Sequence, residues 1–433
     1  MNWRERAVWL IAILSLGVSL VWVPGSFFVS KDQRDFADAI LEVRERLAAN
    51  YVDEISKDQL DRKFADAAIA GMLQPLDPYT QFFPPVEAEQ FKRLMTGNFK
   101  GIGVQLGLTP DGEIQVVTPM DDSPALEAGL VPGDVILTAG GTKLQGLKFD
   151  DVRTFIAGPE GTSVDLMIRK SDGSEVKKSV TRRNIVSPTL FGLFRNSDGS
   201  QNFWLDQNSK IAYIRITQFT PETAEHLQDE ILKLRSLDMK SLVLDLRFNP
   251  GGELAEAVAM SNLFIDQGVI VRTRGLHRPE QTYSVDSGKT LPFFPIALLI
   301  NSSSASASEI VAGALVEHRR ATLVGERTFG KGSVQEPMPM PKGAMLKMTV
   351  AHYYLPSGRL LHRKPDSTEW GVDPQIVVTL DPQQTEAVLT YWNQSQIFYS
   401  REQAATRPAT TRPVDSQLES ARQVLVAEML LRK

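Results

Sequence analysis

Lys331 lies in Gly325-Glu-Arg-Thr-Phe-Gly-Lys-Gly-Ser-Val-Gln335, a segment one residue short of a phosphate-binding loop. Gly325, Gly330 and Lys331 fall in the register of G-x-x-x-x-G-K-[ST], but Gly332 stands where the magnesium-binding hydroxyl is required. The residues that follow Lys331, Gly-Ser-Val-Gln-Glu-Pro-Met-Pro, do not open a helix, so the phosphate reading fails on context as well. An amine between two glycines has another use, as a general base. For that it must be neutral, which requires burial to lower its ordinary pKa of about 10.4 by several units. Gln335 can orient such an amine through its amide and adds no negative charge that would favour the ammonium form. The matching proton donor is a serine hydroxyl, in the Ser-Lys arrangement that replaces Ser-His-Asp in some hydrolases.

Serines are plentiful in Asn301-Ser-Ser-Ser-Ala-Ser-Ala-Ser-Glu309, between an apolar strand pattern and a helix pattern. Small hydroxyl residues at a helix start ordinarily serve as N-caps. A nucleophile placed there also gains free N–H groups and the positive end of the helix dipole for an oxyanion. Residue chemistry alone does not choose among Ser302, Ser303, Ser304, Ser306 and Ser308. Other chemistries are thinly supplied. The chain has no cysteine, which excludes disulfides, thiolate metal sites and a cysteine nucleophile. Its histidines, at 226, 277, 318, 352 and 362, show no ligand spacing, so neither a metal nor another cofactor is expected. A formal charge of -5 gives no reason to expect nucleic acid as a partner.

The elements that must carry these residues read as follows. Residues 1–29 place Arg4 and Arg6 ahead of an apolar run long enough to span a bilayer of about 30 Å. The arginines favour leaving that flank in the cytoplasm, with the rest exported. An uncleaved membrane anchor is favoured over a cleaved signal segment, because Pro24-Gly25-Ser26-Phe27-Phe28 matches a small-x-small site poorly. Residues 30–95 form a helical N-terminal region, with Phe36, Ile40, Val43 and Leu47 at helical spacing. From 96 to 184 short β runs alternate with glycine, and Ser123-Pro124 reads as the start of a short helix that Gly129 ends. From 185 to 400, apolar strands at 210–216, 241–247, 296–301 and 321–325 alternate with helices at 221–237, 253–265 and 308–318. That texture requires a largely covered α/β sheet. Residues 401–415 are a Pro/Thr/Arg-rich linker, and 416–433 read as an amphipathic helix that can pack on the core, join a partner or stay mobile.

Two stretches resemble a PDZ domain: SPALEAGLVPGDVIL, and GIGVQLG at the place of that domain's carboxylate-binding loop. PDZ domains take a peptide's C-terminus by strand addition, so Gly101, Ile102, Gly103 and Val104 are implied to bind peptide. LDPYTQFF, the PDZ-like segment, LVLDLRFNPGGEL, SASASEIVAGAL, VGERTFGKGSVQ and YYLPSGRLL, in this order over residues 35–380, are together similar to the C-terminal processing peptidases, or tail-specific proteases. The resemblance implies an α/β (α+β) multidomain fold, with a ClpP/crotonase-like serine peptidase core, an inserted PDZ domain and the helical N-terminal region. It implies a serine endopeptidase with Ser306 as nucleophile, Lys331 as base and Gln335 assisting. The implied oxyanion donors are the main-chain N–H groups of Ala307 and of Gly251 or Gly252.

The partners implied are proteins or peptides with accessible C-termini, the membrane through the N-terminal segment, a homodimer and an activating adaptor. The implied location is the bacterial cell envelope, anchored in the inner membrane with the bulk in the periplasm or other extracytoplasmic space. The other reading is a catalytically latent PDZ scaffold that requires a partner. Phe248, Ala157, Gln375 and Tyr79 depart from the family pattern, and Ala157 stands where relatives frequently carry an arginine.

Overall fold

A computed structural model describes residues 31–196, 198–399 and 411–432. The expected anchor or signal segment, 1–29, lies outside the described residues, as do positions 401–410 of the expected linker. No helix among the described residues is long and apolar enough to cross a membrane. The chain divides into two compact units, one ending at Phe82 and one from Phe83 onward. In the first, helices α1 (Lys31–Asn50) and α2 (Phe64–Leu73) carry the helical spacing read from sequence. Phe36, Ile40 and Val43 on α1 are exposed within that unit.

The second unit opens with α3 (Pro85–Thr96), which starts on a proline and ends at Gly97, whose φ of 66° closes the helix in the left-handed region. A β-rich segment follows: β1 (Asn98–Gly101), β2 (Val104–Leu108), β3 (Ile114–Pro119), α4 (Pro124–Glu127), β4 (Val135–Ala139), α5 (Phe149–Ile156), β5 (Ser163–Arg169), β6 (Glu175–Thr181) and β7 (Arg183–Val186). The short helix α4 is capped as its sequence requires, since the Ser123 hydroxyl accepts from the Leu126 N–H and Pro124 occupies the first turn. Strands β2 to β6 form a sheet in the order β2-β3-β4-β5-β6, so β2 is an edge strand. Its buried face packs Ile114, Val116, Ile136, Leu166 and Ile168 against Ala125 of α4 and Val152 and Ile156 of α5. This core is separate from that of the rest of the unit. β1 and β7 pair antiparallel at the two ends of the segment.

The remainder contains β8 (Ile211–Ile216), α6 (Thr223–Ser236), β9 (Ser241–Asp245), α7 (Leu254–Asn262), β10 (Val269–Gly275), β11 (Arg278–Ser284), β12 (Ile296–Ile300), α8 (Ala307–Glu317), β13 (Thr322–Gly325), β14 (Ser333–Pro339), β15 (Met345–Tyr354), β16 (Ile376–Val377), α9 (Pro382–Ser395) and α10 (Ser416–Leu431). Strands β8-β9-β12-β13-β16 run parallel in that order. β9 and β12 are buried at every position, which is why they read as unbroken apolar runs. Alternate residues face opposite layers. Leu242, Leu244, Leu298 and Ile300 meet α6, α7 and α8, whereas Val243, Ala297, Leu299 and Val324 meet Leu418, Ala421 and Leu425 of α10. Of the three fates open to the terminal helix, packing on the core is the one observed. β14, β15, β10 and β11 pair antiparallel in a second sheet.

Candidate active site

The parallel strands β9, β12 and β13 deliver three loops from their C-terminal ends: residues 246–253, 301–306 and 326–332. Ligand sites of open α/β sheets form at such ends. The second loop carries four of the five candidate serines and the first turn of α8 the fifth, Ser308, and their surroundings separate them. Ser302 and Ser303 are exposed. Ser304 Oγ donates to Leu246 O at 2.8 Å, and Ser308 Oγ donates to Asn249 O at 3.0 Å, so both hydroxyls serve to hold the first loop. Ser306 stands at the N-cap of α8 with φ 57° and ψ −115°, a backbone conformation rarely adopted by a residue with a side chain. Such strain persists only where its surroundings enforce it.

Glu309 does much of that enforcing. It is fully buried in the first turn of α8, and its carboxylate accepts four hydrogen bonds. Oε2 takes the Ser306 N–H and the Lys331 N–H, both at 2.8 Å. Oε1 takes the Thr328 hydroxyl at 2.6 Å and the Gly330 N–H at 2.7 Å. One carboxylate thereby fixes the backbone of the serine loop against that of the lysine loop. Burial raises the Glu309 pKa above the ordinary carboxylate range, and the four donors act against that rise.

The glycines beside Lys331 are where the chain is squeezed. A Cβ on Gly330 would lie 2.6 Å from Trp370 Cδ1, and one on Gly332 would lie 2.3 Å from the His362 backbone nitrogen. Lys331 is half-buried, and burial lowers its pKa, with the Glu309 carboxylate partly restoring it. The chain then enters β14 rather than a helix, as its sequence requires. Gln335 lies on β14, but its amide nitrogen donates to Ser333 Oγ at 2.7 Å, to Ser333 O at 3.1 Å and to Thr349 Oγ1 at 3.5 Å. None of these partners is Lys331.

The first loop brings its glycines to the serine. A Cβ on Gly251 would meet Ser306 Cβ at 2.8 Å and the Ala307 nitrogen at 2.9 Å, and one on Gly252 would lie 2.0 Å from Phe219 O. The backbone of this turn therefore lies closer to the serine loop than a side chain would allow. The Gly251 N–H donates to the Asn249 side chain at 2.8 Å. The N–H groups of Gly252 and Ala307 have no acceptor among the described residues. Phe248, at φ 59°, donates its N–H to Asn301 Oδ1 and packs edge-on against Trp392.

Charges that the sequence reading did not single out anchor the same loop. Arg247 is buried and bonds Asp245 through Nε and a terminal nitrogen, Asp415 at 3.0 and 2.9 Å, and Gln417 at 3.0 Å. Asp245 also accepts from the Tyr213 hydroxyl. Burial opposes the guanidinium charge, but Asp245 and Asp415 outweigh it and hold Arg247 well above its ordinary pKa. The available signals were charged residues inside the apolar run SLVLDLR, and a glutamate three residues after Ser306 in the capping-box position.

In the β-rich segment, Gly101 pairs with Arg183 at the end of β1, and Val104 begins the edge strand β2. Between them, Ile102 O accepts from Ala125 and Gly103 O from Met120, while the N–H groups of Ile102 and Gly103 have no acceptor among the described residues. Gly103 has φ 71°, and a Cβ there would collide with Ser123 Cβ at 2.4 Å. Free N–H groups beside an open strand edge suit a peptide carboxylate and a paired tail. At Ala157, the departure noted above, the place beside the end of α5 is taken by Arg182, whose Nε donates to Ile156 O at 2.8 Å.

Residues 210–378 match the model of peptidase family S41, and residues 115–170 match that of the PDZ domain. A carboxy-terminal-processing protease of Bartonella bacilliformis is 33% identical over 381 residues, which cover 86% of this chain and 82% of that protein. The carboxy-terminal processing protease CtpA of Bacillus subtilis is 32% identical over 345 residues, 79% of this chain and 69% of that one. Among solved structures, a photosystem II D1 C-terminal processing protease is 27% identical, covering 86% of this chain and 98% of that one, with a TM-score of 0.44. With a third of its residues identical over most of both lengths, the chain belongs to peptidase family S41, the serine-type peptidases that include the carboxy-terminal-processing proteases.

Proposed function

We propose that this serine peptidase cleaves protein substrates near their C-termini through a Ser306-Lys331 dyad, with tails captured at Gly101, Ile102, Gly103 and Val104. The observation that carries the reading is the Glu309 carboxylate oxygen bonded at once to the Ser306 and Lys331 N–H groups. In the reaction, neutral Lys331 takes the Ser306 hydroxyl proton as Oγ attacks the scissile carbonyl carbon. The oxyanion that forms is stabilised by the Ala307 N–H, at the positive end of α8, and by a glycine N–H of the Gly251-Gly252 turn. Lys331, now an ammonium, gives its proton to the departing amine. A water molecule, activated by the same amine, then releases the acyl group.

Two observations favour a resting state, and with it the second reading, a catalytically latent PDZ scaffold that requires a partner. Gln335 faces Ser333 and Thr349, and the Gly251 N–H is held by Asn249. Incubation of the protein with an unstructured peptide ending in a free apolar residue separates the readings. Cleavage that falls by about 10³-fold or more in Ser306→Ala supports the dyad. Binding without products in the unaltered protein supports latency.

The envelope location, with the bulk of the chain outside the cytoplasmic membrane and residues 1–29 as anchor, belongs to the same proposal. Its support is the apolar run behind Arg4 and Arg6. A homodimer and an activating adaptor stand as proposals with it, their support being the exposed apolar residues of α1 for the first and the resting geometry for the second.

A further inference from the structure

A cavity of ≈ 910 Å³ opens beside the Gly101–Val104 loop, bounded by α5, by α3 and by residues of the 187–189 and 217–220 segments. Its apolar wall includes Ile102, Leu106, Met120, Phe149 and Ile156. Three cations also line it: Arg93 from α3, Lys100 from β1 and Arg153 from α5, all exposed. Among the described residues, no aspartate or glutamate does. Arg93 is shared with Glu89 at 3.8 Å. Lys100 and Arg153 form no ion pair among the described residues, and the Arg153 guanidinium lies 5.9 Å from the Phe149 ring centroid.

A free C-terminus brings one negative charge, and the unengaged Ile102 and Gly103 N–H groups are placed to receive it. Lys100 and Arg153 are charge in excess of that need. We infer that this cavity selects tails that end in an apolar residue and carry acidic side chains in the residues just before it, with Lys100 and Arg153 as the specificity-determining groups. This rests on the tail-capture reading above. Because both cations face solvent, each pair with an acidic side chain contributes a factor of about two to five at low ionic strength. The preference is therefore electrostatic and is weakened by salt.

The test uses the full chain carrying Ser306→Ala and labelled peptides that share one apolar C-terminal residue. They differ only in whether the preceding residues are acidic, neutral or basic, and a further acidic peptide ends in an amide. Binding is read by fluorescence anisotropy at about 0.05 M and about 0.5 M salt. Acidic tails are expected to bind about tenfold more tightly than neutral ones at low salt. That advantage should vanish at high salt and invert toward basic tails when Lys100→Glu and Arg153→Glu are introduced together. The milder pair Lys100→Gln and Arg153→Gln should level the three tails, which a general loss of fold would not do. Equal binding of acidic and neutral tails at low salt, or an acidic preference that survives the double reversal, overturns the inference. If the amide binds as well as the free acid, the tail-capture reading itself fails.

Discussion

Whether Lys331 works as a base turns on its charge at working pH. Burial disfavours its ammonium form, so its folded pKa lies below that of an exposed lysine, and only the neutral amine can take a proton from Ser306. Peptidase activity is therefore expected to rise with pH through an apparent pKa below about 10.4 and to disappear in Lys331→Arg, whose guanidinium does not deprotonate. A flat kcat/KM profile across that range, or an active arginine variant, would exclude the assignment. The stability sign follows from the same shift. The group's contribution is present above the unfolded pKa and lost as pH falls through the folded one, so at neutral pH Lys331→Met should raise Tm while cleavage is lost. At this scale the two glycines beside Lys331 were legible in the sequence, and the structure packs them closely against Trp370 and His362. The identity of the serine was not legible from residue chemistry. The Ser304 and Ser308 hydroxyls are engaged by the distant loop at 246–249, whereas Ser306 is set apart by its strained backbone and its N–H bond to Glu309.

Helix α10 offers the clearest element-scale case. Its amphipathic pattern was readable, but its partner was not, since a stripe of Leu418, Ala421 and Leu425 fits any apolar surface. What fixes it here is polar. Asp415, at its N-cap, and Gln417, in its first turn, both bond Arg247, two residues ahead of Asn249 in the loop that reaches Ser306. Removing one partner of a buried ion pair leaves charge without compensation. Asp415→Ala is accordingly expected to lower unfolding free energy by about 3 kcal/mol and to reduce kcat more than it changes KM. Thermal melts and steady-state kinetics check both, and an unaltered Tm with unaltered kcat would show that the helix is not coupled to the loop. The alternating strands and helices were far easier to place from sequence, because burial on both faces imposes apolar runs such as Leu242–Leu244 that no loop would carry.

For the whole molecule, the PDZ-type sheet has its own core, and the parallel sheet is covered by α6, α7 and α8 on one face and by α10 on the other. The domain types could be read from texture, glycine-punctuated β runs giving way to strand-helix alternation. Where the two compact units divide could not, because the break at Phe82 falls inside the motif LDPYTQFF, with no change in composition to mark it. If residues 1–29 hold the chain to a membrane, deleting them should move peptidase activity from the sedimenting to the soluble fraction of lysed cells without reducing kcat on a short peptide. Activity that is soluble in the unaltered chain would remove that proposal. The Arg247 network also constrains the order of assembly. Its carboxylate and amide partners at Asp415 and Gln417 lie 168 and 170 residues downstream. Enclosing the guanidinium before that distant segment arrives would strand a charge with only Asp245 for company, so the last stretch of chain must come home before the pocket around Arg247 can shut.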